Sequence, residues 1–445
     1  MRKHHAIAAV AAVGIAAAGL TACSADGSDD GTVTVNWWTW DERAAAAYAE
    51  CVPGFEDANP GVKVEISHYA VDDYFTKLTA GFVAGTAPDA FQNSVPLLGA
   101  YAEQGQIMPL DELIDESGYD LSVFDVGVES WQYTDGQQYG IPLDWAGAAI
   151  YFNQDMVADA GLTPEDITTM TWNPDDGGTF DDVVARLTVD ASGVRGDEPG
   201  FDPENVETYG INSIASGDFN GQTTWNPFVS TLGWRLGGED AAWPTEIPYD
   251  DPEFAQTLDY LRGLADRGLT PGFGEFTVSS AEMIGSGSVA MVQGGTWDSS
   301  SITQIPDVPV GIAPTVEGPE GRMMISNSNA NNVFVGTQHV DETWDWVTWM
   351  GTVECQTTAG AGAVFLPSIA EALQSTVETQ AAEGLDLSTF IQALEGGELY
   401  PAPPTANGQE IVDTITPLFE AYFSGERDEE VFAEMTTLTQ DILAP

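Results

Sequence analysis

The ten residues from Val33 to Glu42, VTVNWWTWDE, decide the fold class that we predict for this chain. Apolar residues alternate at Val33, Val35 and Trp37, which is the period of a half-buried β-strand. Two more tryptophans and two acids follow, and a helical pattern begins at Ala44. A strand, an aromatic and acidic loop and a helix in this order are typical of an open α/β sheet, which binds ligands at the carboxyl ends of its strands.

The chemistry of this loop favours a sugar as the ligand. Trp37, Trp38 and Trp40 offer flat apolar faces that can stack against the C–H face of a sugar ring. The carboxylates of Asp41 and Glu42 can accept hydrogen bonds from hydroxyl groups. Core packing is the competing interpretation for any one of these tryptophans, since large aromatic residues are usually buried. Their clustering at a strand end, with acids attached, favours a binding loop.

The composition excludes nucleic acid as a partner. The chain has 445 residues, enough for two or three domains, and an apolar fraction of 43% that can build a large core. Its 70 acidic and 12 basic residues give a formal net charge of -58, whereas phosphate binding needs Lys and Arg. The acids are spread along the whole chain, which indicates a hydrated surface like that of salt-adapted proteins. Electrostatic capture of a cationic ligand stays open as an alternative.

The amino terminus has the features of a lipoprotein signal peptide. Two basic residues precede an apolar run over residues 6–20, which is too short for a comfortable membrane span. The run closes with LTAC at residues 20–23, which resembles the bacterial lipobox. The resemblance implies that residues 1–22 are removed and that Cys23 is lipidated, and residues 23–31 form a polar tether. A secretory signal with a coincidental cysteine is the alternative.

Two further cysteines, Cys51 and Cys355, are compatible with a disulfide. A pair of cysteines in an oxidising compartment favours a bond, and this one would close a very long loop. Two separately buried thiols are the alternative.

We expect the mature protein on the extracellular face of the cell membrane, held there by lipid alone, because no other segment is long and apolar enough to span a bilayer.

Signatures of common enzyme classes are absent from the sequence. There is no G-x-S-x-G, H-E-x-x-H or P-loop pattern, and only His68 and His339 lie beyond the signal peptide. A secreted glycosidase stays open, because stacked sugars and paired carboxylates suit that chemistry too. Nothing, however, marks one carboxylate as an acid and another as a nucleophile. A structural or adhesive lipoprotein would predict repeats or low complexity, which are absent beyond residue 31.

Strand and helix patterns alternate along the chain and carry a set of recurring local sequences. In chain order these are VTVNWWTWDE, FEDANPGVKVEI, APDAFQNSVPLLGAYAEQG, YGIPLDWAGAAIYFNQDMVADAGL, TFDDVVARL, MVQGGTWD and DETWDWVTWM. In their order and spacing they resemble the extracellular solute-binding proteins, family 1, of sugar-importing ABC transporters, the family that includes the maltose-binding proteins. The resemblance covers essentially the whole mature chain.

The resemblance implies an α/β protein with the two-lobed, periplasmic-binding-protein type II-like fold. Each lobe is then a mixed sheet flanked by helices, and the ligand lies in the cleft between the lobes. The first lobe is expected to comprise residues 32–145 and about 300–355. The second lobe is expected to comprise residues 146–299 and about 356–445.

The resemblance also implies a set of ligand contacts at the strand ends. We expect them at Thr39, Trp40, Asp41, Glu42, Asn93, Ser94, Asp144, Trp145, Trp225 and Trp297. The expected function is non-catalytic capture of a small carbohydrate, an oligosaccharide because several tryptophans suggest more than one ring, followed by delivery to the transmembrane subunits of an ABC permease. We expect a monomer that uses neither a cofactor nor a metal.

Overall fold

The structure, a computed structural model, describes residues 31–215, 218–238, 242–275, 278–362 and 365–444, apart from the side chain of Asp72. The predicted signal peptide, the predicted lipidation site Cys23 and all but the last residue of the tether lie outside these ranges. Residues Val33–Pro445 form one compact unit. Within the described ranges, no helix combines the length and the apolar character needed to cross a membrane.

The β-strands of the described residues lie in two mixed sheets. In chain order they are β1 (Val33–Thr39), β2 (Val62–His68), β3 (Ala90–Ser94), β4 (Ile141–Ala146), β5 (Ala148–Asn153), β6 (Val189–Asp190), β7 (Val206–Ile211), β8 (Val289–Gly295), β9 (Val310–Ala313), β10 (Met324–Val333), β11 (Leu366–Pro367) and β12 (Leu399–Pro401). The first sheet has the order β11-β4-β10-β3-β1-β2, with β12 paired to β10, and the second has the order β6-β7-β8-β5-β9.

The α-helices flank these sheets. In chain order they are α1 (Glu42–Ala49), α2 (Val52–Ala58), α3 (Val71–Ala84), α4 (Leu98–Glu103), α5 (Asp111–Ser117), α6 (Gln154–Asp159), α7 (Pro164–Thr168), α8 (Gly178–Leu187), α9 (Asn226–Val229), α10 (Pro252–Asp266), α11 (Ser280–Ser286), α12 (Ser299–Thr303), α13 (Val340–Met350), α14 (Val353–Gly360), α15 (Ala370–Ala382), α16 (Ser388–Glu395), α17 (Gly408–Phe423) and α18 (Glu430–Leu443). We call each sheet with its packed helices a lobe.

Each sheet has its own hydrophobic core. Trp37 and Phe55 pack with Trp346 in the core of the first lobe, which β1, α2 and α13 build together. Phe254 and Phe419 pack in the core of the second lobe, where α10 and α17 meet. Every residue of β4, β5 and β8 is buried, as expected for strands that are covered on both faces. The two-lobed α/β architecture predicted from the sequence is confirmed.

The chain crosses between the sheets at several places, two of which differ from the predicted boundaries. β9 pairs with β5 in the second sheet, so the chain returns to the first lobe after Ala313 and not near residue 300. β11 pairs with β4, so the first sheet still gains a strand at Leu366–Pro367, beyond the predicted boundary at residue 355. Sheet membership depends on long-range pairing, which the local pattern of a short strand does not contain.

Cys51 and Cys355 are joined by a disulfide in the structure. The bond links the start of α2 to α14, and the two cysteines are 304 residues apart in the sequence. It lies inside the first lobe, where both cysteines are part of the hydrophobic core. The bond therefore ties a late segment of the chain to the first helices.

Candidate functional site

The two sheets meet where β4 leads into β5 through the single residue Gly147. A side-chain amide from the second lobe reaches this crossing: Gln222 Nε2 donates to the carbonyl of Ala146 at 3.0 Å. The backbone N–H of Thr296, just after β8, donates to the carbonyl of Gly147 at 3.1 Å. The carboxyl end of β8 therefore lies beside the carboxyl end of β4, as required for a cleft between strand ends.

The loop after β1 is held by its own hydrogen bonds. Thr39 is fully buried, and its hydroxyl donates to Gln92 Oε1 at 2.5 Å. Trp40 is half-buried and contacts the rings of Tyr74 and Phe75. Asp41 is the N-cap of α1 and accepts hydrogen bonds from the first N–H groups of the helix. The capping alternative therefore accounts for one oxygen of the Asp41 carboxylate.

Glu42 is exposed on the first turn of α1. Its charge suits that position, because the amino end of a helix carries a partial positive charge. Its exposure and its place in the first turn account for Glu42 as a surface residue at the start of α1.

The end of β3 contributes amide groups. Asn93 is fully buried, and its Oδ1 accepts from the backbone N–H of Ser94 at 2.9 Å. Among the described residues, neither the Nδ2 of Asn93 nor the Nε2 of Gln92 has a hydrogen-bond partner. An unpaired buried donor costs about 1–3 kcal/mol, so these amides can bind a polar ligand with a gain in free energy.

Asp144 is buried at the end of β4 and uses both carboxylate oxygens. Oδ2 accepts from the hydroxyl of Tyr48 at 3.1 Å, and Oδ1 accepts from Asn329 Nδ2 at 2.6 Å. Burial raises the pKa of Asp144 to about 7, opposed by the hydrogen bonds from Asn329 and Tyr48 and assisted by the charge of Asp41. The group therefore exchanges a proton near neutral pH.

The loop after β8 presents Trp297. The side chain is half-buried, and its ring lies directly over Gly295, where an added Cβ would be 2.4 Å from the ring. Among the described residues, the buried Gln293 Oε1 and Thr296 Oγ1, which precede this tryptophan in the chain, have no hydrogen-bond partner. The segment from Gln293 to Trp297 thus carries both an aromatic side chain and unpaired polar atoms, and a sugar ring can use both.

Arg43 brings the two tryptophan loops together. Its Nη2 donates to the carbonyl of Trp297 at 2.8 Å, and its Nη1 donates to Ser300 Oγ at 3.4 Å. The residue was not among the predicted contacts. A signal was present in the sequence, since Arg43 is one of few basic residues and directly follows the predicted binding loop.

Two predicted ligand contacts, Trp145 and Trp225, are core residues in the structure. Both have no exposed surface, and their indole N–H groups donate to the carbonyls of Pro367 and Asp218. The ring of Trp225 is stacked on Phe419 at 5.6 Å between centroids. Neither ring has a free face for stacking, because neighbouring side chains from late helices and strands cover them.

A cavity of about 270 Å³ lies between residues of both lobes and the loop after β12. Glu129 and Ser130 line it from the first lobe, and Arg235 lines it from the second. Tyr400 also lines it, with the guanidinium of Arg235 5.0 Å from the centre of its ring. None of these residues was among the predicted ligand contacts.

Two mixed sheets whose strand ends meet where the chain crosses from β4 to β5 are the architecture of two-lobed solute-binding proteins. A profile of the family described as bacterial extracellular solute-binding protein matches residues 31–386, and the chain belongs to this family.

Solved structures and characterised relatives resemble this chain over different lengths. UspC of M. tuberculosis is 25% identical, with a TM-score of 0.73 over 92% of this chain and 100% of UspC. The ABC substrate-binding protein Lmo0181 from Listeria monocytogenes, solved in complex with cycloalternan, is 20% identical, with a TM-score of 0.74 over 93% of this chain and 98% of its own. The lactose-binding protein of Rhizobium radiobacter is 29% identical over 154 residues, which are 32% of this chain and 34% of the relative.

Proposed function

We propose that this protein is the lipid-anchored substrate-binding component of an ABC importer, which captures an oligosaccharide in the cleft between its lobes and delivers it to a membrane permease. The observation that carries the proposal is that one short segment, from the end of β8 into the following loop, holds the half-buried Trp297 and the buried, unpaired polar atoms of Gln293 and Thr296. A sugar satisfies both features at once, because its ring has an apolar face and its rim carries hydroxyl groups.

The proposal of an oligosaccharide rests on the spread of aromatic side chains. Trp40 follows β1, Trp297 follows β8 and Tyr400 lies in β12, so three separate segments supply a ring. One sugar unit offers two faces, and rings from three segments suit a longer ligand. The relatives support this class of ligand, since one was solved with cycloalternan and another is named for lactose.

Titration calorimetry of the chain from Ser24 onward against a panel of mono- and oligosaccharides tests the proposal. We expect saturable binding of one oligosaccharide without turnover. Trp297→Ala should weaken that binding by about 1–3 kcal/mol, because it removes both stacking and apolar burial. Trp349→Ala is the matched control: this tryptophan is also half-buried but contacts Phe55 in the first lobe. No heat with any sugar of the panel would contradict a carbohydrate ligand.

A glycosidase would differ from a receptor in one product. The enzyme would release reducing ends from a polysaccharide panel, and the receptor would leave the amount of reducing ends unchanged. The carboxyl of Asp144 is only 3% exposed and is held by Tyr48 and Asn329, so it is not an accessible acid or nucleophile for a glycosidic bond. We therefore expect binding without hydrolysis.

The lipid anchor is tested by changing Cys23. Expressed in a bacterium that processes lipoproteins, the wild-type chain should fractionate with the membrane. Cys23→Ser should leave the membrane fraction and appear in the culture medium, because no thiol is left for the lipid. Membrane fractionation of the variant equal to that of the wild type would contradict the anchor.

A further inference from the structure

Arg43 forms a contact between the two lobes that the stability of helix α1 does not require. The residue lies in the first turn of α1, which follows β1 of the first sheet. Its hydrogen-bond acceptors, the carbonyl of Trp297 and the hydroxyl of Ser300, follow β8 of the second sheet. One side chain therefore joins the loops at the ends of two strands that belong to different sheets.

The position of Arg43 is unfavourable for the helix itself. The amino end of a helix carries a partial positive charge, so a cation in the first turn destabilises the helix. The side chain is exposed, so apolar burial does not compensate for this effect. The residues that do stabilise the start of α1 are Asp41, which caps it, and the acidic Glu42. The contact with the second lobe is thus the feature that explains an arginine here.

The contact fixes the residue that carries the proposed stacking ring. The backbone of Trp297 is held by Arg43 through its carbonyl, and the ring is held by its position over Gly295. The next residue, Asp298, has a pKa that burial raises, and the charge of Arg43 opposes this rise. Arg43 therefore holds the loop by a hydrogen bond to the backbone of Trp297. Its positive charge also favours the ionised form of Asp298 in the same loop.

We propose that Arg43 is a latch that stabilises the closed arrangement of the lobes and places Trp297 for ligand binding. The latch rests on the proposed function for its purpose, whereas the contact itself joins the two lobes directly. Opening of the cleft separates the loop after β1 from the loop after β8 and breaks both hydrogen bonds. Arg43 is thus a positioning residue, since it acts on the ligand through Trp297.

The test measures the distance between the lobes in the absence of any sugar. Val83 on α3 is 86% exposed and Ala158 on α6 is exposed, so Val83→Cys and Ala158→Cys carry spin labels on the first and second lobes. The native cysteines are bonded to each other and do not react. Pulsed electron-spin resonance then gives the populations of closed and open arrangements in the chain from Ser24 onward.

In this background we expect Arg43→Gln to raise the ratio of open to closed molecules by about threefold to tenfold, because both hydrogen bonds of the guanidinium are lost. Arg43→Lys should give a smaller rise, because it keeps a charged donor. The control is Arg186→Gln, whose arginine pairs with Glu198 inside the second lobe and should leave the ratio unchanged. Equal distance distributions in Arg43→Gln and the wild type would overturn the latch.

The experiments distinguish failure of the latch from failure of the proposed carbohydrate function. A sugar panel that gives no binding would reject the carbohydrate proposal and leave the distances untouched. Conversely, a sugar that binds Arg43→Gln as tightly as the wild type, with unchanged distances, would reject the latch alone. A fall in affinity together with a shift to the open arrangement supports both.

Discussion

Tyr48 donates a hydrogen bond to Oδ2 of Asp144 at 3.1 Å and thereby ties helix α1 to the strand that leaves the first sheet. On the other side of the carboxyl group, Asn329 from β10 donates to Oδ1 at 2.6 Å. The group is almost completely buried, with 3% of its surface exposed. A carboxyl in this setting links protonation to the stability of the crossing between the lobes.

We predict that Asp144 makes the protein less stable as the pH rises from about 4 to about 7. Burial raises the pKa of this carboxyl to about 7, whereas in the unfolded chain it is about 4. Between these values the folded state binds the proton and the unfolded state does not, so the free energy of unfolding falls by on the order of 2–4 kcal/mol. Above about pH 7 both states are ionised and this contribution stays constant.

The variant Asp144→Asn should flatten this dependence. An amide can accept from Tyr48 and donate to Asn329 Oδ1, which has no partner among the described residues. Urea unfolding at pH 5, 6, 7 and 8 measures the difference between variant and wild type. Asp155→Asn, which changes an exposed carboxylate of α6, serves as the control. Equal pH profiles of Asp144→Asn and the wild type would show that Asp144 carries no such proton.

Gly295→Ala should weaken ligand binding by about tenfold or more. A Cβ at this position would be 2.4 Å from the ring of Trp297, so the ring must move from the place where it stacks, with a loss of about 1.4 kcal/mol or more. Calorimetry with the sugar that the panel identifies measures the change. In the control Gly263→Ala the new Cβ has open space, so binding should stay at the wild-type value. Wild-type affinity in Gly295→Ala would mean that the ring position is irrelevant.

Trp225→Ala should destabilise the fold by about 3–5 kcal/mol, the usual cost of removing a large buried aromatic side chain. The ring is fully buried against Phe254 and Phe419, so the variant leaves a cavity. Urea unfolding gives the free energy, and Trp297→Ala, which removes a half-buried ring, should lose less. A loss for Trp225→Ala below that of Trp297→Ala would argue against the core position.

Reduction of the Cys51–Cys355 disulfide should lower the free energy of unfolding by about 3–5 kcal/mol. The bond closes a loop of 304 residues, and a long closed loop restricts the unfolded chain strongly. Urea unfolding with and without a reductant measures the loss. The double variant Cys51→Ala/Cys355→Ala should be insensitive to the reductant. If the wild type showed the same insensitivity, the bond would not contribute to stability.

Several local features could be predicted from the sequence because neighbouring residues create them. The strand Val33–Thr39 follows from alternating apolar residues, and Asp41 as a cap follows from its place before a helical pattern. The helix pattern that begins at Ala44 is interrupted in the structure, where α1 ends at Ala49 and α2 begins at Val52. The position of such a break depends on how the turn between the two helices packs, and the pattern of apolar residues does not give this information.

The roles of the tryptophans could not be read from the sequence. Trp145, Trp225 and Trp297 were all predicted as ligand contacts, yet the first two are fully buried and the third is half-buried. Their neighbours in space, such as Phe419 next to Trp225, come from segments far away in the sequence. Arg43 was missed for the same reason, because its acceptors lie more than 250 residues further along.

The sequence by itself determined the alternation of strands and helices, the aromatic and acidic loop after the first strand and the class of two-lobed α/β protein. These depend on periodicity and on residues within a few positions of one another. Only the tertiary structure decided that residues 310–313 join the second sheet, that Trp225 lies in the core and that Arg43 reaches Trp297. Burial and hydrogen bonding between distant segments are properties of the packed chain, because the free energy of each contact depends on what the whole fold brings next to it.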